Sequence, residues 1–150
     1  LRAANRNMAD HQKICIFRTN WKGENVDVNW YYARRTNYDR VNLLGMQWKN
    51  VIHPADLDYY EKSFFRVLHT GAPFDEVVRI RTSDQLEIIY AISYGEPIWE
   101  NVDLVPEEQL DEDRTYSERS GGRYVLDGFE GYWVEIAEED YEARREIERV

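Results

Sequence analysis

The chain has 150 residues, 43% hydrophobic and 14% aromatic, which is enough for one folded domain and excludes a disordered tail. Its 29 acidic and 19 basic residues give a net charge of −10, which repels phosphate backbones and anionic lipids, so we expect no nucleic-acid partner and no membrane contact. The single cysteine, Cys15, can form no internal disulfide, and no run resembling a signal peptide precedes it, which predicts a cytoplasmic location.

The first half of the chain predicts an arm, a hairpin and two short helices. Residues 1–13 are polar and alanine-bearing, typical of a helical arm. An apolar run over 14–17 and an alternating run over 26–29 flank Gly23, which predicts a β-hairpin. Helical turns are predicted over 30–35 and 40–44. We expect Asn37 to adopt a left-handed conformation between them, Asp39 to cap the second, and Gly45 to end it.

The longest predicted helix begins at His53-Pro54, where proline suits the first helical turn and Asp56 lies near the positive end of the helix dipole. Apolar residues then recur at three- and four-residue steps up to Leu68, and Gly71 closes the helix. We therefore expect one face of this helix to lie against a sheet, with His53 serving only to start it.

Strands follow over residues 74–81, 86–94 and 132–136, with a short extra strand possible over 124–126. Between them lies an acidic, glycine-punctuated segment over about 100–123, and a charged helix follows from residue 138. The order of elements predicts an α+β fold: a five-stranded antiparallel sheet with short helices and one longer helix packed on one face.

Five stretches in chain order support a family assignment: the hairpin ending in Val28-Asn29, then residues 36–45, 51–56, 74–90 and 131–139. Together they resemble the PAS family of sensory domains, in particular its His-Pro-bearing, PAS_3-like PAS/PAC subgroup. The sequence departs from that pattern at Gln85, where the family turns on glycine, and over 135–137, where Glu-Ile-Ala replaces the Asp-Ile-Thr that helps fix the exit helix.

The resemblance implies an arm over 1–13, a PAS-like domain over 14–137 with an acidic insertion at about 100–123, and the start of a signalling helix over 138–150. It implies a sensory module that forms a homodimer and controls an effector in the same chain, such as a histidine kinase or a diguanylate cyclase. Because the chain begins at Leu1, we expect it to be part of a longer polypeptide.

The signalling and dimerisation residues that the resemblance implies are Glu135, Ala143, Ile147 and Val150. Of these, Ala143, Ile147 and Val150 form a narrow apolar stripe, which favours a partner helix or else packs on the domain's own sheet.

The family places its ligand between the sheet and the longest helix, which implies a lining of Tyr60, Phe64, Arg79, Tyr90, Ile92 and Tyr94. Tyrosine hydroxyls and an arginine on apolar walls suit a small anionic or hydrogen-bonding metabolite, and the same residues equally suit a plain core and sheet surface. Tyr60 stands where the haem-binding subgroup has its axial histidine. The Asn-Cys-Arg-Phe stretch of the flavin photosensors is absent, with Cys15 in the first strand instead. We therefore expect neither haem nor flavin.

Other functions have weaker support in the residues. No His or Cys spacing suits zinc, and the acidic run at Asp111 places Tyr116 where an EF-hand needs glycine, so we expect no metal site. A small α+β enzyme would need a carboxylate such as Asp56, Asp58 or Glu87 against pocket tyrosines, and no catalytic pair is evident. A ligandless protein–protein interaction module is the main alternative to a ligand sensor.

Overall fold

The structure is a computed structural model that describes residues 10–11 and 13–148. Most of the predicted arm and Val150 of the predicted stripe lie outside these residues. Within the described part, six strands form one antiparallel sheet with the order β2-β1-β6-β4-β3, and β5 pairs with β6. The strands are β1 Cys15–Thr19, β2 Asn25–Val28, β3 Phe74–Arg81, β4 Ile88–Asn101, β5 Tyr116–Arg119 and β6 Gly122–Glu135, and the α-helices are α1 Trp30–Thr36, α2 Pro54–Thr70 and α3 Glu138–Glu148.

The turn at Gly23 and the left-handed Asn37 are confirmed, whereas the predicted capping of the second helix by Asp39 and its end at Gly45 are wrong. Gly23 turns the β1–β2 hairpin at φ 87°, and Asn37 ends α1 in the left-handed region at φ 61°. The predicted second helix is a 3₁₀ helix, Arg40–Leu43, which Asp39 precedes without a capping bond from its side chain. A further 3₁₀ helix, Met46–Asn50, leads toward α2.

The long helix α2 starts and stops where its sequence predicts. Nδ1 of His53 accepts the backbone N–H of Ala55 at 3.1 Å, Pro54 occupies the first turn, and Gly71 ends the helix at φ 73°. Only glycine fits at that end, because a Cβ there would lie 2.3 Å from Cζ2 of Trp99. No helix in the described part of the chain has the length and apolar content needed to cross a bilayer.

The α+β prediction is confirmed, and the sheet has six strands in the described residues where five were predicted. β4 continues to Asn101 and β6 begins at Gly122, so both ends of the predicted insertion pair in the sheet, and β5 adds a sixth strand within it. A bulge between Ile98 and Trp99 lets β4 and β6 stay paired past Gly128. Gly128 is required there because a Cβ would lie 2.0 Å from the carbonyl oxygen of Thr19.

The sheet has two covered faces. One, here called the inner face, packs under α2 and carries the core, including Phe74, Ile89 and Phe129. The other, the outer face, is partly covered by α3, whose Tyr141 ring lies 5.3 Å from the Tyr90 ring. This arrangement gives two candidate functional regions, which are the interior beneath α2 and the contact between the sheet and α3.

Candidate functional site

The space beneath α2 is an aromatic cavity of about 20 Å³, enough for one or two water molecules. Its walls are packed rings: the Trp48 and Phe64 rings meet edge to face at 5.7 Å, and the Tyr60 and Phe74 rings meet at 5.3 Å. A cavity of this size admits no drug-sized ligand without side-chain movement. Its lining is Phe17, Thr19, Asn25, Tyr32, Trp48, Ile52, Tyr60, Phe64, Phe74 and Trp133.

One buried hydrogen bond gives this cavity a polar point. The Tyr60 hydroxyl and Oγ of Ser93 lie 2.8 Å apart, and both residues are buried. Burial raises the pKa of Tyr60 to about 12, so its hydroxyl stays protonated at neutral pH. The cavity therefore offers a neutral hydroxyl pair, and no charge, to anything that enters.

The six predicted ligand residues do not share one site. Tyr60 and Phe64 are residues of α2 whose side chains line the aromatic cavity. The placement of Arg79, Tyr90, Ile92 and Tyr94 there is wrong, because all four belong to the outer face. Side chains alternate along a strand, and since Ser93 faces Tyr60, its neighbours Ile92 and Tyr94 face the other way. Arg79 pairs with Tyr90 across β3 and β4 on that same outer face.

The outer-face arginine belongs to a different constellation, here called the Asp56 latch: Asp56, Arg79 and Tyr141. Asp56 is fully buried at the start of α2 and lies beside the outer edge of β3, where residues 51–53 also hydrogen-bond to that strand. It accepts the backbone N–H of Arg79 at 2.8 Å and the guanidinium at 2.7 and 3.2 Å. The Tyr141 hydroxyl of α3 donates to the same carboxylate, 2.8 and 2.9 Å from its two oxygens. One carboxylate thus joins α2, β3 and α3.

The electrostatics of the latch favour its charged form. Burial alone would raise the pKa of Asp56, but the hydrogen bonds from Arg79 and Tyr141 outweigh burial and hold the pKa below its ordinary 3.8. Burial and the adjacent carboxylate raise the pKa of Tyr141 to about 12, so the hydroxyl remains a donor. The Arg79 guanidinium also lies 5.3 Å from the Tyr141 ring. At neutral pH, Asp56 and Arg79 therefore form an ion pair, and the neutral Tyr141 hydroxyl donates a hydrogen bond to the Asp56 carboxylate.

Sequence reasoning missed Tyr141 as the residue that attaches α3 to the rest of the domain. Tyr141 is 1% exposed, whereas Ala143 and Ile147 of the predicted stripe are exposed, Ile147 by 75%. The alternative that this stripe packs on the domain's own sheet is therefore wrong for these two residues. A large aromatic residue in the second turn of an otherwise charged helix was the available signal.

Further charged contacts surround the exit of the chain from β6. Arg35 of α1 binds Glu135 at 2.6 Å and Glu87 at 2.5 Å. Arg144 of α3 binds Asp75 of β3 at 2.5 Å. Glu135, where the family has aspartate, therefore connects the end of β6 to α1.

The three carboxylates that a small α+β enzyme could use, Asp56, Asp58 and Glu87, do not share one site. Asp56 is held in the latch, Asp58 is exposed beside Lys62, and Glu87 is paired with Arg35. None of them lines the aromatic cavity. Among the described residues, no cluster of three or more His, Cys, Asp or Glu side chains is arranged to hold a metal ion.

Comparisons with known proteins agree with this geometry. Residues 25–105, more than half of the chain, match the family model described as the PAS fold. No curated protein matches the sequence.

Solved structures share the fold at low sequence identity. The chain is similar to a LOV protein of Rhodobacter sphaeroides (TM-score 0.60, 15% identity over 89% of this chain), although it spans only 66% of that protein's chain. It is also similar to a PAS domain from Colwellia psychrerythraea (0.61, 18%, covering 89% and 95% of the two chains). The N-terminal domain of a diguanylate cyclase with a PAS/PAC sensor from Marinobacter aquaeolei matches as well (0.59, 10%, 85% and 98%).

Proposed function

The chain belongs to the PAS fold family, and on that premise we propose that it is the sensory and dimerisation module of a larger signalling protein, such as a histidine kinase or a diguanylate cyclase, working in the cytoplasm. In this proposal the module transmits a change from the domain to an effector through α3. The effector domain lies in the same parent chain.

The observation that carries the proposal is the attachment of α3. Tyr141 fixes the second turn of the helix to the Asp56 carboxylate, and the Arg145 guanidinium lies 3.7 Å from the Tyr59 ring of α2. A shift of α2 relative to β3 moves the Asp56 carboxylate with respect to its Arg79 and Tyr141 donors, so it must also alter the position or the stability of α3. The helix is thus placed to report rearrangements of the domain.

The same helix leaves apolar surface for a partner. Ala143 and Ile147 point away from the domain, and a helix of 11 residues with a narrow apolar stripe is marginal by itself in water. Tyr132 and Val134 of β6 add half-exposed apolar surface on the outer face, where the Tyr132 ring lies 5.3 Å from the Tyr94 ring. We propose that a second copy of the chain covers the α3 stripe.

Sedimentation of the intact 150-residue chain tests dimerisation through α3. We expect a dimer of about twice the 18.0 kDa monomer mass at high micromolar concentration, and we expect Ile147→Asp to weaken it at least tenfold. Leu104→Asp is the matched control, because Leu104 is also 75% exposed but lies outside α3. A wild-type monomer at several hundred micromolar, or equal effects of the two substitutions, would contradict the proposal.

We also propose that the module works without haem or flavin. The small aromatic cavity supports this, as does Cys15, whose thiol is buried in β1 with its pKa raised to about 12 by that burial and by Glu135. Tyr60 stands where the haem-binding PAS domains have their axial histidine, and its hydroxyl is hydrogen-bonded to Ser93. Freshly purified protein is expected to show no absorbance beyond the aromatic band, and a Soret or flavin band would contradict this.

The tight cavity favours the ligandless interaction module over a metabolite sensor at this position.

A further inference from the structure

A second and larger hollow lies at the surface, between the β1–β2 turn, the C-terminal end of α2 and residues 113–115. We call it the insertion crevice. Its volume is about 300 Å³, against about 20 Å³ for the aromatic cavity, which places it at the lower end of small-molecule sites. It is separate from the latch and from the space beneath α2, and the proposed output through α3 does not depend on it.

The floor of the crevice contains a buried cation, Arg114. Its residue exposure is 6%, and its two terminal nitrogens donate to the backbone carbonyls of Gln109 and Leu126 at 2.9 and 2.8 Å. Its buried Nε has no hydrogen-bond partner among the described residues, and no carboxylate there pairs with the guanidinium. Burying a cation without an anion costs free energy. An anion bound beside the Arg114 guanidinium would therefore stabilise the folded chain.

The walls combine a second cation with apolar surface. The Arg114 guanidinium lies 4.7 Å from the Trp21 ring, and Nζ of Lys22 lies 5.3 Å from the same ring. Phe65 and Leu68 of α2 form the apolar side of the crevice, against the Gly23 turn. A ligand here therefore meets positive charge beside an aromatic and aliphatic wall.

The charge balance selects the kind of anion. Besides Lys22 and Arg114, the crevice includes one carboxylate, Asp113, so the lysine, arginine and aspartate of its lining sum to a single positive charge. A monoanion neutralises that charge, whereas a phosphate dianion would leave the occupied crevice with a net negative charge. A ring attached to the anion would pack against Phe65 and Leu68.

We propose that the insertion crevice binds a small aromatic carboxylate, with its ring on the Phe65–Leu68 wall and its carboxylate between Lys22 and Arg114. The acidic segment then has a specific role, because residues 113–115 complete the site and Thr115 fixes them by donating to the carbonyl of Leu68 at 2.8 Å. Binding would thereby connect this segment to the end of α2.

Titration of the intact chain with phenylacetate, followed by the NMR signal of the Trp21 indole N–H, tests the proposal. We expect saturable binding with a millimolar Kd, and binding of the uncharged phenylacetamide at least tenfold weaker. Lys22→Glu and Arg114→Met should each weaken phenylacetate binding at least tenfold. Lys62→Glu, an equal charge change on the exposed side of α2, should leave binding unchanged.

Lys22→Glu keeps the test decisive if Arg114→Met fails to fold, because Lys22 is exposed and outside the core. The proposal is overturned if phenylacetate does not saturate, if phenylacetamide binds equally well, or if Lys22→Glu binds like the wild type. Tighter binding of inorganic phosphate than of phenylacetate would also overturn the proposal, because the crevice would then be a general anion site in which the aromatic ring adds no affinity.

Discussion

Replacing Asp56 with alanine is expected to lower the free energy of unfolding by about 3 kcal/mol, as for other broken buried ion pairs. The substitution leaves the Arg79 guanidinium and the Tyr141 hydroxyl without their shared acceptor, and it removes an acceptor from the β3 edge. Urea unfolding of the intact chain measures the loss. Asp58→Ala is the control, because Asp58 lies two residues away on the same helix, is exposed, and should change stability by less than about 0.5 kcal/mol.

The same carboxylate predicts a pH dependence. Its pKa is lower in the folded chain than its ordinary 3.8, so its contribution to stability is complete above about pH 4 and is lost as the pH falls through the lower, folded value. Asp56→Asn removes the titrating group and should flatten this part of the acid limb. An acid limb that stays as steep in Asp56→Asn as in the wild type would show that other carboxylates determine it.

Replacing Tyr141 with alanine is expected to release α3 from the sheet while the rest of the domain stays folded. The change removes the hydroxyl donor and the ring that packs on Tyr90, a local loss of roughly 2 kcal/mol. Since α3 contains Arg144 and Arg145, trypsin cleavage there should become about 30-fold faster. Trp fluorescence should report an intact core.

Tyr141→Phe separates the ring from the hydroxyl. It keeps the packing on Tyr90 and removes only the bond to Asp56, so its cleavage rate should fall between those of the wild type and Tyr141→Ala. Glu142→Ala, at an exposed neighbouring position, is the control and should leave cleavage at the wild-type rate. Equal rates in the wild type and in Tyr141→Ala would mean that the latch does not hold the helix.

Features of the fold encoded by local chemistry were predictable from the sequence. The Gly23 turn, the left-handed Asn37 and the start of α2 at His53-Pro54 each depend on a few neighbouring residues. Gln85 adopts the left-handed φ of 63° that glycine would otherwise supply, so the turn survives the substitution. The α+β class followed from the order of such elements.

The candidate sites depended on pairings between distant residues. β4 is nearly continuous in apolar residues, so its sequence does not say which alternate residues face α2, and Tyr90 and Tyr94 were assigned to the wrong face. Tyr141 and Asp56 are 85 residues apart, and no local pattern relates them. The crevice likewise needs Trp21, Phe65 and Arg114 to meet, which only the bulged pairing of β4 with β6 and the folded acidic segment brings about.

The central claim is that rearrangement in the domain reaches α3 through Asp56. Amide hydrogen exchange over residues 138–148, compared between the wild type, Asp56→Ala and Asp58→Ala under conditions where all three stay folded, tests it most directly. We predict that exchange in α3 becomes at least tenfold faster in Asp56→Ala, although the substituted residue lies on α2, and stays at the wild-type rate in Asp58→Ala. Unchanged α3 exchange in Asp56→Ala, with exchange in α2 or β3 raised, would contradict the claim.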